Sequence, residues 1–127
     1  MKAIVLTKYG PPDVLKLEEV NKPAPEDNEV LIKIVATTVN RTDCATIRAR
    51  PFFMRVVTGL FKPKKQIPGT EFAGEIEAVG KGVSSLKAGD KVFGFDDQGA
   101  GAHAQYTSIA KDKVITIPDG TTYEQAA

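Results

Sequence analysis

The sequence predicts a mostly β domain, because short apolar segments recur along it and glycine, proline and aspartate turns separate them. The length of 127 residues suits one domain, and a hydrophobic content of 42% is enough to fill its core. Spacing and number of the segments predict a barrel or sandwich of about five to eight strands with little helix.

The individual strands are predicted from runs of β-branched and aliphatic residues. In the first half they cover 3–9, 15–20 and 29–39, and a Pro-rich connector spans 21–28. Leu15 and Leu17 lie on one face of the second strand, opposite Lys16 and Glu18. In the second half the predicted strands cover 71–79, 91–95, 104–110 and 114–117.

Two short helices are predicted from capping signals. Asn40 can cap a helix from Arg41 to about Arg50, with Asp43 in its first turn. Thr121 and Glu124 stand at capping-box spacing and predict a second helix start. An isolated helix needs about 12 residues to hold in water, and the sequence stops at Ala127. We therefore expect this chain to be part of a longer one.

Charge and cysteine content argue against several other classes of protein. Seventeen basic and sixteen acidic residues leave a net charge of +1, which indicates neither a nucleic-acid nor a membrane-surface partner. One cysteine excludes an internal disulfide and fits a cytoplasmic protein. The sequence contains no apolar run long enough for a signal peptide or a membrane span.

The segment Gly99–Ala104 imitates a dinucleotide-binding fingerprint of the form G-x-G-x-x-A. Asp96 and Asp97 would place negative charge beside a pyrophosphate, and the residues after Ala104 favour a strand over a helix. We therefore interpret it as a glycine-rich hairpin loop and expect no nucleotide-binding unit within the chain.

Metal and acid–base chemistry have few candidate residues. A catalytic zinc would need both Cys44 and His103 together with a carboxylate such as Glu71. Cys44 is equally compatible with packing as a small hydrophobe, and His103 with a loop position. Asp43 and Glu71 could serve acid–base catalysis, but a helix first turn and backbone hydrogen bonds account for them at least as well.

The segment from Arg50 to Gln66 is basic and aromatic. It contains five cations and no acid, namely Arg50, Arg55, Lys62, Lys64 and Lys65, interleaved with Phe52, Phe53, Met54 and Phe61. Three interpretations stay open: a solvated loop with core anchors, a lid over an apolar substrate pocket, and a surface for single-stranded nucleic acid.

Several motifs, taken in order, resemble the amino-terminal domain of the medium-chain dehydrogenase/reductase family. They are the opening Met1–Ala3 strand, Tyr9–Pro12, Pro23–Pro25, Glu29–Lys33, Val39–Asp43, Ile67–Ile76 with Val79–Gly80, Gly89–Val92 and Gly101–Tyr106. The resemblance covers nearly the whole chain. It implies a GroES-like, partly open β-barrel with one or two short helices, followed in the family by a Rossmann domain that residues 1–127 do not include.

Two departures indicate the branch of the family. In its zinc alcohol dehydrogenases a cysteine stands at the place of Asn40 and a histidine at the place of Thr70. The sequence is therefore similar to the zinc-free, quinone-oxidoreductase-like branch, and the resemblance implies no metal site. Some members also carry a tyrosine near the position of Ala45, which this chain lacks.

The resemblance also implies site residues. Asn40 is expected beside the nicotinamide and substrate as the catalytic residue, and Asn40, Arg41 and Thr42 are expected to contact the cofactor. Glu71 matches a family glutamate behind the metal site and is expected to be structural. The cofactor is expected to be NADPH, bound mainly by the missing domain.

The resulting expectation is the substrate-side domain of an NAD(P)H-dependent enzyme that reduces quinones, enones or carbonyls, inactive as this fragment. Its partners would be a small-molecule substrate and the Rossmann domain, with no nucleic acid or membrane. Apolar surface left by the missing domain, including Phe52, Phe53 and Phe61, would favour self-association. The alternatives are a stand-alone β-barrel binding module and a zinc-dependent alcohol dehydrogenase domain.

Overall fold

The computed structural model describes residues 1–50, 52–53, 55–56, 59–61, 63 and 66–127. Within them, seven strands form two antiparallel sheets: β1 (Lys2–Leu6), β2 (Leu15–Glu19), β3 (Glu29–Thr37), β4 (Glu71–Val79), β5 (Lys91–Phe95), β6 (Tyr106–Ala110) and β7 (Val114–Thr116). The helices are α1 (Arg41–Arg48) and α2 (Tyr123–Ala126), and 3-10 turns cover Pro12–Val14 and Lys111–Lys113.

The predicted mostly β, partly open architecture is confirmed. β1 pairs with β2, and the larger sheet has the order β6-β3-β4-β5-β7. β6 and β7 are its two edges, so the described strands curve round a core without closing into a complete barrel.

The core lies against the paired strands β3 and β4, which carry its largest buried side chains. The register between them shifts twice, between Leu31 and Ile32 and between Ile34 and Ala36. Such bulges bend a strand and increase its twist, which lets one sheet wrap round its own apolar face. The centre of this face is formed by Val30, Ile32, Phe72, Ile76 and Val92.

The predicted boundaries are right for β4 and β5, but the outer strands are shorter than predicted. β1 stops at Leu6, and β6 begins at Tyr106 because Ala104 instead forms an isolated bridge to Ala3. The alternation predicted for β2 does not give a buried face, since Leu17 is 66% exposed. β2 lies in the two-stranded sheet, and at Leu17 the described residues leave it largely open to solvent.

Both helix starts exist, with one shifted by a residue. Asn40 caps α1 as predicted, but the helix ends at Arg48 because Ala49 is left-handed with φ 49°. The second capping box uses Thr122 and Gln125 rather than Thr121 and Glu124. Gln125 can reach back to the Thr122 N–H as well as a glutamate would, so the spacing alone left two registers open.

Backbone hydrogen bonds join β1 of the small sheet to the loops that precede β4 and β6 of the large one. Ile4 N donates to His103 O over 2.8 Å, and Leu6 N donates to Gln66 O over 2.6 Å. β1 is therefore held directly against the segment that leads into β6. No helix in the described residues is long and apolar enough to cross a membrane.

Candidate active site

The candidate site begins with Asn40, which lies between β3 and α1. Its Oδ1 accepts a hydrogen bond from Asp43 N over 3.0 Å, and Asp43 Oδ2 accepts from Asn40 N over 3.0 Å. This reciprocal capping box satisfies two backbone donors at the helix start. The structural role predicted for Asp43 is confirmed, and Asn40 is held in a fixed orientation.

The other end of the Asn40 amide reaches the start of β4. Its Nδ2 donates to Thr70 Oγ1 over 2.7 Å, and Thr70 is only 3% exposed. An Asp43 N–H can only donate, so the oxygen and nitrogen of the amide are distinguishable here. The two positions at which the resemblance places zinc ligands are thus joined to each other by a hydrogen bond.

Glu71 is the next member of the same network. The Thr38 hydroxyl donates to Glu71 Oε2. This hydrogen bond, and a second from the Asn40 side chain, lower the pKa of Glu71 below its ordinary value of 4.5. Hydrogen bonds to a carboxylate favour its charged form, so Glu71 accepts from two neighbours and holds a negative charge behind Asn40.

His103 joins the network from the loop that leads into β6. Its Nε2 lies 2.9 Å from Thr38 O and 4.0 Å from Asp43 Oδ2. A carbonyl can only accept, so Nε2 carries the hydrogen in this contact. Asp43 is 1% exposed, and its Oδ1 has no hydrogen-bond partner within the described part of the chain.

The glycine-rich segment positions His103. Gly99–Ala104 forms a loop that leads into β6 and not into a helix. It is not the hairpin loop predicted from the sequence, because β5 pairs with β4 and β7 whereas β6 pairs with β3. Ala102 N donates to Gly69 O over 3.3 Å and His103 N to Pro68 O over 3.0 Å. Gly69 has φ 105°, and a Cβ there would lie 2.7 Å from His103 N. A glycine is therefore needed where these two loops meet.

The remaining predicted site residues lie at the edge of this network. Arg41 is exposed and Thr42 half-buried on the first turn of α1, directly after Asn40. Cys44 is exposed on the same helix. Across the described residues, no three His, Cys, Asp or Glu side chains are close enough to hold a metal ion together.

The basic segment is only partly within the described residues. Its Met54, Lys62, Lys64 and Lys65 lie outside them. Phe52, Phe53 and Phe61 are exposed, as expected for the apolar surface predicted from the sequence.

Two members of the network were not predicted from the sequence. Thr38 carries no motif of its own, and His103 was weighed only as a zinc ligand or a loop residue. The available signal was weak: Thr38 lies two residues before Asn40, immediately before the Val39–Asp43 motif. Their contact spans 65 positions, which no local pattern reveals.

With this geometry established, comparison with known proteins defines the class. Residues 26–119 match the family described as "Alcohol dehydrogenase GroES-like domain". The chain belongs to this family.

Its relatives narrow the class to the quinone-oxidoreductase-like part of the medium-chain dehydrogenase/reductases. The chain is 40% identical over 129 residues to a quinone oxidoreductase of Sus scrofa. The match spans 100% of this chain and 36% of that protein. It is 37% identical over 139 residues to a 2-methylene-furan-3-one reductase of Solanum lycopersicum, covering 33% of it. The chain thus spans about a third of the length of these relatives.

Solved structures agree with this placement. The quinone oxidoreductase of Coxiella burnetii superposes with a TM-score of 0.84 at 32% identity, covering 100% of this chain and 40% of that one. The Escherichia coli quinone oxidoreductase complexed with NADPH superposes with a TM-score of 0.80 at 28% identity. This match covers 99% of this chain and 36% of that one.

Proposed function

We propose that this chain is the substrate-side domain of an NAD(P)H-dependent oxidoreductase that reduces quinones, enones or carbonyls without zinc. The observation that carries the proposal is the Asn40–Thr70 hydrogen bond. Zinc is bound in proteins by cysteine, histidine and carboxylate. An amide and a hydroxyl that are hydrogen-bonded to each other make a poor metal site. They can instead form a polar surface beside the cofactor and substrate, and we call this surface of Asn40 and Thr70 the polar wall.

Hydrogen-bond counting indicates what Asn40 does in that wall. The amide nitrogen has two donor hydrogens. One goes to Thr70 Oγ1, and the Glu71 carboxylate, whose pKa the Asn40 side chain lowers, lies near enough to attract the other. The Oδ1 oxygen has two lone pairs, of which Asp43 N takes one. The free capacity is therefore an acceptor, which suits the carboxamide of a nicotinamide better than a substrate carbonyl. Asn40 would orient the cofactor ring.

Thr70 completes the argument on the substrate side. Its hydroxyl accepts from Asn40 and retains one hydrogen that it can donate. A hydroxyl held in this way can meet the oxygen on which negative charge develops during reduction. NAD(P)H, when bound, supplies the hydride.

Arg41 and Thr42 would extend this cofactor side of the wall. They follow Asn40 on the first turn of α1, and Arg41 is exposed. A guanidinium that reaches solvent beside the nicotinamide could pair with a cofactor phosphate.

The substrate class follows from the electronics of the acceptor. A carbonyl reduced without a Lewis acid must carry its developing charge on hydrogen bonds alone. Quinones and enones spread that charge through conjugation, which favours them over isolated carbonyls. The names of the relatives support this choice: quinone oxidoreductase, 2-methylene-furan-3-one reductase, and the NADPH-dependent alkenal/one oxidoreductase of Arabidopsis thaliana.

The isolated chain would not turn over. Gly99–Ala104 leads into a strand, so it provides no helix N-terminus to hold a pyrophosphate. The nucleotide would come on a Rossmann domain, against which the exposed Phe52, Phe53 and Phe61 would pack. We place the enzyme in the cytoplasm, with a small-molecule substrate and neither nucleic acid nor membrane as partner.

The test uses an enzyme that joins this chain to a Rossmann domain. NADPH oxidation is followed with benzoquinone, an enone and an unconjugated aldehyde, each with and without a zinc chelator. We expect the two conjugated acceptors to react faster and the chelator to have no effect. Loss of activity on chelation would support the zinc-dependent alternative, and absence of NADPH oxidation would support a stand-alone binding module.

A further inference from the structure

A cavity lies at the opposite end of α1 from Asn40. Its volume is about 360 Å³, and its lining residues are Tyr9, Gly10, Pro11, Arg48, Arg50 and Arg55. α1 has eight residues, so about 12 Å of helix separates this cavity from the Asn40 network. Three of its lining residues are cations, and none is an acid.

Local backbone structure brings these arginines together. Ala49 is left-handed, which turns the chain so that Arg50 N donates back to Ala45 O over 3.1 Å. Gly10 N donates to Ile47 O over 3.1 Å and holds the Tyr9–Pro11 turn against the same end of the helix. These bonds satisfy carbonyls of the last turn, so the negative end of the helix is capped.

Arg55 enters the cavity from the far side. Its guanidinium lies 5.3 Å from the centre of the Tyr9 ring and 5.0 Å from that of Phe52. The Tyr9 hydroxyl donates to Gly59 O over 2.7 Å, which ties this turn to the chain after Arg55. Contacts with aromatic rings use the faces of a guanidinium and leave its N–H edge available.

One donor of that edge, Arg55 Nε, is buried and lacks an acceptor within the described residues. A buried donor without a partner costs free energy, and three guanidiniums facing one cavity repel each other. One oxyanion in the cavity would remove both costs.

We propose that this cavity binds a small molecule through a phosphate or carboxylate group. The planar N–H fork of arginine matches both oxyanions, and the cavity has room for a group the size of pyrophosphate or a dicarboxylate. A concave site favours such a molecule over a nucleic-acid strand. The site goes beyond the proposed function, because neither its residues nor its test involve the reduction.

The test is calorimetric titration of the 127-residue chain at low salt with two probes, pyrophosphate and malonate. We expect a dissociation constant below about 1 mM for at least one of them, and the tighter probe identifies the source as phosphate or carboxylate. Arg50→Gln and Arg55→Gln should each weaken it about tenfold or more. Arg50→Lys should restore only part of the loss, because the charge returns without the fork.

Lys16→Gln, on the exposed β2, is the charge-matched control and should leave binding unchanged. Equal weakening by Lys16→Gln, or no saturable binding of either probe, would overturn the proposal. A (dT)12 oligonucleotide that binds more tightly than both probes would also overturn it, in favour of a nucleic-acid surface. If Arg55→Gln lowers the melting temperature, the two Arg50 variants decide the test, because Arg50 is exposed.

Discussion

The side chains of Asn40 and Thr70 are joined by a 2.7 Å hydrogen bond, although 30 positions separate them in the sequence. This bond connects the N-cap residue of α1 to the residue before β4, so one amide both caps a helix and fixes one side of the candidate site.

Substitution of Asn40 should separate its two roles. Asn40→Ala removes the cap and should lower the free energy of unfolding by about 1 kcal/mol, whereas Asn40→Ser retains an N-cap acceptor and should cost less. In the enzyme joined to a Rossmann domain, both variants lose the amide that would orient the cofactor ring, and turnover should fall about 100-fold. Denaturant unfolding and steady-state kinetics measure the two effects. Unchanged turnover in both variants would make Asn40 a helix cap only.

Acid should destabilise the chain partly through Glu71. Its pKa is lowered in the folded state by hydrogen bonds from Thr38 and Asn40. The folded chain therefore binds fewer protons, and the stabilisation is present above the ordinary value of 4.5 and lost as the pH falls through the lowered pKa.

Denaturant unfolding at several pH values between about 3 and 6 should show this loss in the wild type and less of it in Glu71→Gln. Glu75→Gln, an exposed carboxylate on the same strand, is the control. An identical pH dependence in wild type and Glu71→Gln would contradict the hydrogen-bonded network.

Zinc should be absent from protein purified without a metal-binding tag, because Asn40 and Thr70 satisfy each other. The double substitution Asn40→Cys and Thr70→His should raise zinc affinity, since it restores two preferred ligands at adjoining positions. Metal analysis by mass spectrometry checks both. Stoichiometric zinc in the wild type, lost on Cys44→Ser or His103→Ala, would show that the site lies elsewhere.

NADPH should not bind tightly to residues 1–127, because the Gly99–Ala104 segment continues into β6. Calorimetric titration of the chain should give no dissociation constant in the micromolar range, whereas the same chain joined to a Rossmann domain should bind. Micromolar binding to the chain alone would refute the assignment of the nucleotide to the second domain.

Gly69→Ala should be destabilising by about 1–3 kcal/mol, for two reasons. Its φ of 105° is strained for any L side chain, and the new Cβ would lie 2.7 Å from His103 N. Gly89→Ala is the matched control, because its φ is 94° but no atom lies within 4 Å of the added Cβ. The difference between the two melting temperatures measures the contact of the Gly69 loop with His103. If the two variants lose the same number of degrees in melting temperature, backbone strain alone accounts for the destabilisation and the contact with His103 contributes nothing.

The sequence predicted the fold where local pattern and tertiary packing agree. β4 and β5 have the predicted boundaries because apolar alternation, flanking turns and burial in the core all coincide there. β2 has the same alternation, but Leu17 is largely exposed among the residues described, and alternation alone does not reveal whether a second layer covers a strand. Capping by Asn40 was predictable because it depends on residues three positions apart.

The network beyond Asn40 could not be predicted in the same way. The Thr38–Glu71 and Thr38–His103 contacts depend on the register of β3 against β4 and on where the glycine-rich segment meets Gly69. Both are set by bulges and loop conformations that pair distant residues. The family resemblance identified Asn40 and Thr70 as two separate positions. Only the structure shows that their side chains are hydrogen-bonded to each other.

The position of His103 has a consequence for how the protein is made. Asn40, Thr70 and Glu71 belong to the first part of the chain to be synthesised, and β3 can pair with β4 before β6 exists. His103, the only histidine, is synthesised much later. It is followed by β6, which pairs with the second edge of β3. Long-range pairing of this kind is slow, and an uncovered strand edge invites pairing with other chains. We expect nascent chains that stall before Ala104 to be the aggregation-prone species, and chaperones to be needed most during that interval.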